Sequence, residues 1–566
     1  MKNTTRNYTA VLVLVLFLVS CKDITELNKN TNGVEPQTVN PDLILPTVLT
    51  ETGKTFLNLG FGDASGIVQH TQGDAFNAGR DYYDWGQSNS WISPSSSSGD
   101  FYGIQRNNKL LYDRSVTLGY KFHQAISLIV KSMNFGLVAD LWGDAPYSMA
   151  NQGETGTPET ISPAYDSQES IYAGIMADLE TANTLLATNP ASLETVSSGI
   201  DVIYDGDPTK WRKLANTLLL RYYMRLSNKK PDVAKAGIEK IVNNPTQYPI
   251  ILETADDATM NYPGVTGGVD DWPGNTYFDA SGQGYRRLKP CQTLVSALQK
   301  LNDPRLAVWA KKVETPLAID PSLPDTTDKI SNGVRYFGVK APALLQTQKI
   351  APVNTDPNYV GLPPGIQSPS TYNANPVVGQ ASYNPHVSYL NEIYTQPSTT
   401  KSPLLKARLA SAAEVQFILA EAALKGMAVG DAQMYYNAGV RASLTTWGVG
   451  SQYATYIANP GVAFVGTVKQ VITQKWIASW TAATEAWFDW RRTGYPEMKA
   501  GPYAKRPELP VRFYYSIDEQ RYNTANTTAA MGNLAQTQYS QADGANSAWS
   551  KPWLLQGSGS PSNFPY

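Results

Sequence analysis

Cysteine is nearly missing from this chain of 566 residues: there are two, Cys21 and Cys291. A protein this long can bury a core large enough to do without disulfides. Histidine is almost as scarce. His70, His123 and His386 lie far apart and show no metal-ligand spacing such as H-E-x-x-H. Walker loop, G-x-S-x-G elbow and Rossmann glycine fingerprint are all absent. No cofactor or metal is therefore expected. Charge is thin too: 17% of residues are charged, below the usual quarter, and the formal net charge is −2. That leaves no electrostatic basis for binding nucleic acid.

What is abundant is aromatic. Phe, Trp and Tyr make up 11% of the chain, with 33 tyrosines and 13 tryptophans. Tyr and Trp present an apolar face and a polar edge, which suits stacking against polar ligands, although most such rings in any protein fill core. Acidic neighbours occur at Asp205 with Asp207 and at Asp270 with Asp271. Two carboxylates can run glycoside hydrolysis, but such neighbours are more often solvated turns. A binding role is favoured over an enzymatic one.

The first residues carry an address. Lys2 and Arg6 precede the apolar run "AVLVLVLFLV" (Ala10 to Val19), which is short for a resident membrane helix and suits a signal peptide. The run ends in "LVSC", which resembles the lipobox of bacterial lipoproteins, with Cys21 as the acylated first mature residue. With Cys21 lipidated, Cys291 has no disulfide partner. Acyl chains would anchor the protein at about 0.8 kcal/mol per buried CH₂. No other stretch reads as apolar for long enough to cross a membrane. Residues 1–20 thus form a signal peptide, and 21–566 one large domain that opens with a polar tether, 21–42.

Helical stripes follow. Phe122, Ile126, Ile129, Val130, Met133, Leu137, Val138 and Leu141 recur at helical spacing until Gly143 and Pro146. Asp166 with Glu169 reads as a capping box opening the next helix. Asp207 then Pro208 reads as N-cap and N1 of a third. "SAAEVQFILAEAALKG" and "DAQMYYNAGVRASLTTW" form an antiparallel hairpin. The expected fold is mainly α, with stacked tetratricopeptide-like hairpins over about 105–245 and 405–495. Between them, about 246–404, lies a long irregular region rich in Pro, Gly, Asn, Thr and Tyr, with one clear helix around "QTLVSALQKLNDPRLAVW". Its aromatic content predicts ordered loops.

The stretch "EAWFDWRRTG" (Glu485 to Gly494) looks catalytic. Its surroundings, "QKWIASWTAATEAWFDWRRTGYP", resemble the C-terminal signature of the SusD/RagB family, in its SusD-like branch. "AEVQFILAEAALKG", "FGLVADLWGDAPYS", "LNDPRL" and "YVGLPPG" are similar to further family motifs and occur in the family's order, over nearly all of the mature chain. The "KD" after Cys21 is similar to a surface-export signal. One departure stands: the family usually has an aromatic-Pro pair where this chain has Tyr514 and Tyr515 without proline. The resemblance implies that "EAWFDWRRTG" is structural, with Trp487, Phe488 and Trp490 buried and Glu485 or Asp489 paired with Arg491 or Arg492.

The resemblance further implies a surface lipoprotein of the outer membrane of a Bacteroidetes-type cell. Such a protein binds oligomeric nutrients as the lid of a SusC-like, TonB-dependent transporter. Oligosaccharide is the commonest ligand class, and some relatives take oligopeptides. Rivals are a surface glycoside hydrolase and a scaffold that binds nothing. Two loop segments carry rings among small polar residues: "DYYDWGQSNSW" (Asp81 to Trp91) and "DDWPGNTYFDASGQGYRR" (Asp270 to Arg287). From these, Tyr82, Trp85, Trp272, Tyr277 and Tyr285 are expected as stacking platforms, with Asn275 and Arg286 supplying hydrogen bonds.

Overall fold

The structure is a computed structural model. It describes residues 38–73, 78–92, 100–262, 286–345, 352–376, 382–394 and 404–557. The signal peptide, Cys21 and most of the tether lie outside these residues.

The first long helix, α1 (Pro41–Phe61), begins where the tether was expected to end, with the Asn40 side chain accepting from the Asp42 amide. A first helical block follows: α2 (Phe101–Leu118), α3 (Lys121–Trp142), α4 (Gln168–Leu186), α5 (Pro208–Arg225) and α6 (Pro231–Asn243). Each of these helices packs on the next, α2 on α3 through to α5 on α6. The expected Asp207 cap is present: its carboxylate accepts from the Thr209 and Lys210 amides, and Pro208 occupies the first turn. The capping box at Asp166 and Glu169 does not form. Ser167 caps α4 instead, one residue later, while Asp166 turns back to accept from the Tyr147 and Ser148 amides. Although it carries Lys131, Asn134 and Asp140, α3 has the length and mean hydropathy of a membrane span. That corrects the expectation that only the signal run has them. The structure buries α3 at the centre of the block, and Gly143 ends it at φ 99°.

A second block contains α8 (Ala412–Leu424), α9 (Ala432–Thr446), α10 (Val468–Ala478) and α11 (Ala483–Thr493). α8 and α9 form the expected hairpin, with Asp431 capping α9. α8 also packs on α5 and α11 on α1, joining the blocks. The fold is mainly α, of stacked tetratricopeptide-like hairpins.

Between the blocks the described residues are mostly irregular. The expected long helix there is two: α7 (Gln292–Lys300) and a short turn, Leu306–Trp309, split at Asp303-Pro304 because proline cannot continue the hydrogen-bond ladder. The strands are short. β1 (Thr71–Gly73) pairs antiparallel with β3 (Leu288–Pro290), and β2 (Ala258–Asn261) with β7 (Lys406–Ala410). β4 (Leu317–Ile319), β6 (Val334–Phe337) and β5 (Asp328–Ser331) make a three-stranded sheet in that order. A small core of Val313, Val360, Leu362, Ile366, Tyr372 and Val387 holds the loops together. In "YVGLPPG", Gly361 has a specific reason: a Cβ there would sit 2.4 Å from the Gln292 Cα, so only glycine lets the two backbones pass.

"EAWFDWRRTG" forms α11. Trp487, Phe488 and Trp490 are fully buried, as expected. Arg492 pairs with Asp489 at 2.9 Å and also with Glu421. Glu485, however, pairs with Arg225 and Arg221 of α5. Arg491 reaches Asp140 of α3, donating to its backbone carbonyl at 2.5 Å and to Val511 O at 2.7 Å. The polar residues of the motif are therefore partners of buried charges, as burial requires. Gly494 closes the helix in the left-handed conformation, φ 72°.

Candidate functional site

The pairing of β1 with β3 fixes the geometry. Gly73 stands opposite Leu288. Gly73, where the chain leaves β1, and Arg286 and Arg287, which enter β3, therefore lie at the same end of the pair. The two segments the sequence singles out adjoin these residues in sequence. Asp81, itself buried, locks the root of the first. Its carboxylate accepts from the Gly73 amide at 3.0 Å and from the Arg80 guanidinium at 2.9 and 3.1 Å.

From this root a wall extends. Tyr82 is half-buried, and its hydroxyl donates to Ile366 O at 2.8 Å. The Lys505 amide donates to Tyr82 O at 2.8 Å, and the Lys505 ammonium donates to Asp84 at 3.1 Å. Burial alone would lower the pKa of Lys505. Hydrogen bonds to Asp84 and Tyr514 outweigh it and raise the pKa, so the ammonium stays charged. Tyr503, 46% exposed, donates its hydroxyl to Gln367 Oε1 at 2.5 Å. On the β3 side the Arg286 guanidinium stacks over the Tyr383 ring at 4.6 Å, and the Tyr383 hydroxyl donates to Glu314 at 2.9 Å. Half-exposed rings beside anchored amides and charges are groups that can stack on an apolar ring face and hydrogen-bond its rim.

Of the residues expected from sequence, Tyr82 and Arg286 are on this wall. Trp272, Asn275, Tyr277 and Tyr285 lie outside the described residues. Trp85 is not on the wall, which corrects its expected role as a platform. It is 8% exposed, packed edge-on against Phe513 at 5.2 Å and pressed on the Gly79 backbone. Tyr503, Gln367, Lys505, Asp84 and Tyr383 were missed. "GPYAKR" and "ASYNPH" carry the same signal used for the other segments, rings among small polar residues, and that criterion finds Tyr503 and Tyr383.

The acidic pair Asp205 and Asp207 serves local structure: Asp205 accepts from the Gly199 amide and Asp207 caps α5. Among the described residues no three His, Cys, Asp or Glu side chains gather as a metal site.

Helical repeats that hold a loop-built, ring-bearing wall define a binding protein. The chain belongs to the SusD-like family, described as starch-binding and associating with the outer membrane, whose model matches residues 83–319 and 340–516. No curated protein matches it. Among solved structures it is similar to a SusD homolog from Bacteroides fragilis, at 21% identity and TM-score 0.66, covering 92% of this chain and 100% of that one. It is similar also to a SusD homolog from Bacteroides uniformis, at 23% identity and TM-score 0.65, covering 91% and 99%. A third is a chitin-binding SusD homolog from Flavobacterium johnsoniae, at 21% identity and TM-score 0.64, covering 92% and 98%.

Proposed function

We propose that this protein is a surface lipoprotein of the outer membrane, anchored through Cys21, that captures oligosaccharides and hands them to a SusC-like, TonB-dependent transporter. The observation that carries the ligand reading is the pair of part-exposed rings, Tyr82 and Tyr503, each held by its hydroxyl beside anchored polar groups, with Arg286 stacked on Tyr383 at the entry to β3. Glycan is the ligand class that such rings and anchored polar groups suit, and the family's description and the chitin-binding relative favour it. Trp272, Tyr277, Tyr285 and Asn275 complete the surface in this reading. The protein has no chemistry to perform.

A ring covering about 80 Å² of apolar sugar surface contributes about 2 kcal/mol at roughly 25 cal/mol/Å². After association costs, two or three rings give a dissociation constant on the order of micromolar to millimolar. Calorimetry with chito- and malto-oligosaccharides tests this. Tyr82→Ala and Trp272→Ala should each weaken binding about tenfold while the protein stays folded. Unchanged affinity in both, or binding to oligopeptides alone, overturns the reading. Cys21→Ala should abolish fatty-acid labelling, and purification from native membranes should recover a β-barrel partner.

A further inference from the structure

All three histidines are buried, and ligand capture as proposed uses none of them. His386 is set apart by its place, three residues after Tyr383, the ring on which Arg286 stacks. The segment holding both is fastened to Glu314 and Thr315 at three points. The Tyr383 hydroxyl donates to Glu314 at 2.9 Å, the Thr315 amide donates to Pro385 O at 2.9 Å, and His386 Nδ1 lies 2.6 Å from the Thr315 carbonyl. On the other side of the ring, His386 Nε2 lies 3.1 Å from Arg335 Nη1.

These neighbours fix the state of the ring. A guanidinium only donates, so Nε2 must accept. A carbonyl only accepts, so Nδ1 must carry the proton. The neutral ring satisfies both contacts. Arg335 is held where it is: its Nη1 also donates to Ala374 O at 2.6 Å, and its Nε and Nη2 each donate to Asp328 at 2.8 Å. A proton on Nε2 would set N–H against N–H, and cation against cation, at a ring that is 2% exposed. The charged groups facing the ring are Arg335 of β6 and, through it, Asp328 of β5, whereas Glu314 is engaged with Tyr383. Burial, with the Arg335 charge added to it, lowers the His386 pKa below its ordinary 6.5, against the Thr315 carbonyl and Asp328, which favour the charged ring.

We propose that His386 is a positioning residue for Tyr383 and makes the Tyr383 side of the wall acid-sensitive. A ring protonated on Nε2 has to part from Arg335, and its movement takes Nδ1 off Thr315 and loosens residues 382–386. The fastening is complete above pH 6.5 and weakens as pH falls below it. The effect on ligand rests on the reading of Tyr383 as part of the wall. The fastening itself does not.

His386→Gln separates the two, because its side-chain amide can accept from Arg335 and donate to Thr315 O without titrating. Hydrogen exchange, corrected for intrinsic rates, is followed in wild type and variant from about pH 7.5 to about pH 4.5. Residues 382–390 should lose about tenfold more protection in wild type than in the variant. Calorimetry with chito- and malto-oligosaccharides should show wild-type affinity falling about tenfold over the same range, with the variant keeping its own. NMR of ¹⁵N-histidine-labelled wild type at neutral pH should show His386 uncharged, with its proton on Nδ1. A charged ring, or a proton on Nε2, overturns the proposal even where the variant does not fold. So does the same acid response of residues 382–390 in both proteins. Protection that depends on His386 while affinity does not would uphold the fastening and remove Tyr383 from the ligand wall, so failure of the one reading is distinguishable from failure of the other.

Discussion

Tyr82 and Trp85 stand three residues apart in one loop. Tyr82 keeps part of its ring in solvent because its hydroxyl is tied to Ile366 O, whereas Trp85 turns inward onto Phe513. Composition and loop character are the same for both. What separates them is the Phe513 ring, more than four hundred positions away in sequence, and no local pattern announces it. Trp85→Ala should therefore lower stability by about 3–5 kcal/mol, seen as a lower urea midpoint, with ligand affinity of the folded protein unchanged. His70 gives a pH prediction. Its ring is fully buried, with Nε2 2.9 Å from the Trp476 carbonyl. Burial, only partly offset by that carbonyl, pushes its pKa from 6.5 down to about 3. Between those values the unfolded chain takes up a proton that the native ring refuses. Stability is thus lost as pH falls from 6.5 toward 3, by up to about 1.4 kcal/mol per pH unit. Denaturant titrations at pH 7 and 5 should show a smaller acid loss in His70→Gln than in wild type.

The helices of the scaffold were legible because their signals are local: the stripe on α3, Asp207-Pro208 at the start of α5, and Asp431 before α9. α1 was not singled out. It carries Pro46 inside and buries residues around most of its circumference, so its polar and apolar faces are poorly separated. The strands that organise the candidate site were illegible for a different reason. β1 and β3 are three residues each, too short for alternation to register, and their pairing is long-range. The split helix at "LNDPRL" shows what the motif does. Arg305, fully buried, takes both oxygens of Asp303 at 2.9 and 2.6 Å and also donates to Ser443 Oγ at 2.6 Å. It ties the end of α7 to α9. Asp303→Ala would strand that guanidinium and should cost about 3–5 kcal/mol, measured by chemical denaturation, with protection from hydrogen exchange lost first in α9.

Across the molecule, the charges of α11 join halves that are distant in sequence. Asp140 of α3 meets Arg225 of α5 and Arg491 of α11, and Arg221 of α5 pairs with Glu414 of α8 at 2.7 Å. The apolar cores of the two blocks are continuous as well. Asp140→Ala should therefore loosen both blocks together: hydrogen exchange should speed up in α5 and α11 alike, and thermal unfolding should stay a single, earlier transition. Separate transitions for the two blocks would contradict this. The point where the chain enters the fold has its own consequence. In the first turn of α1, the Asp42 carboxylate lies 2.8 Å from His123 Nε2, whose Nδ1 lies 2.9 Å from Glu194, and Arg114 Nε donates to Val39 O at 3.2 Å. A pull arriving from the N-terminal side therefore loads these contacts to α2 and α3 before it reaches the rest of α1.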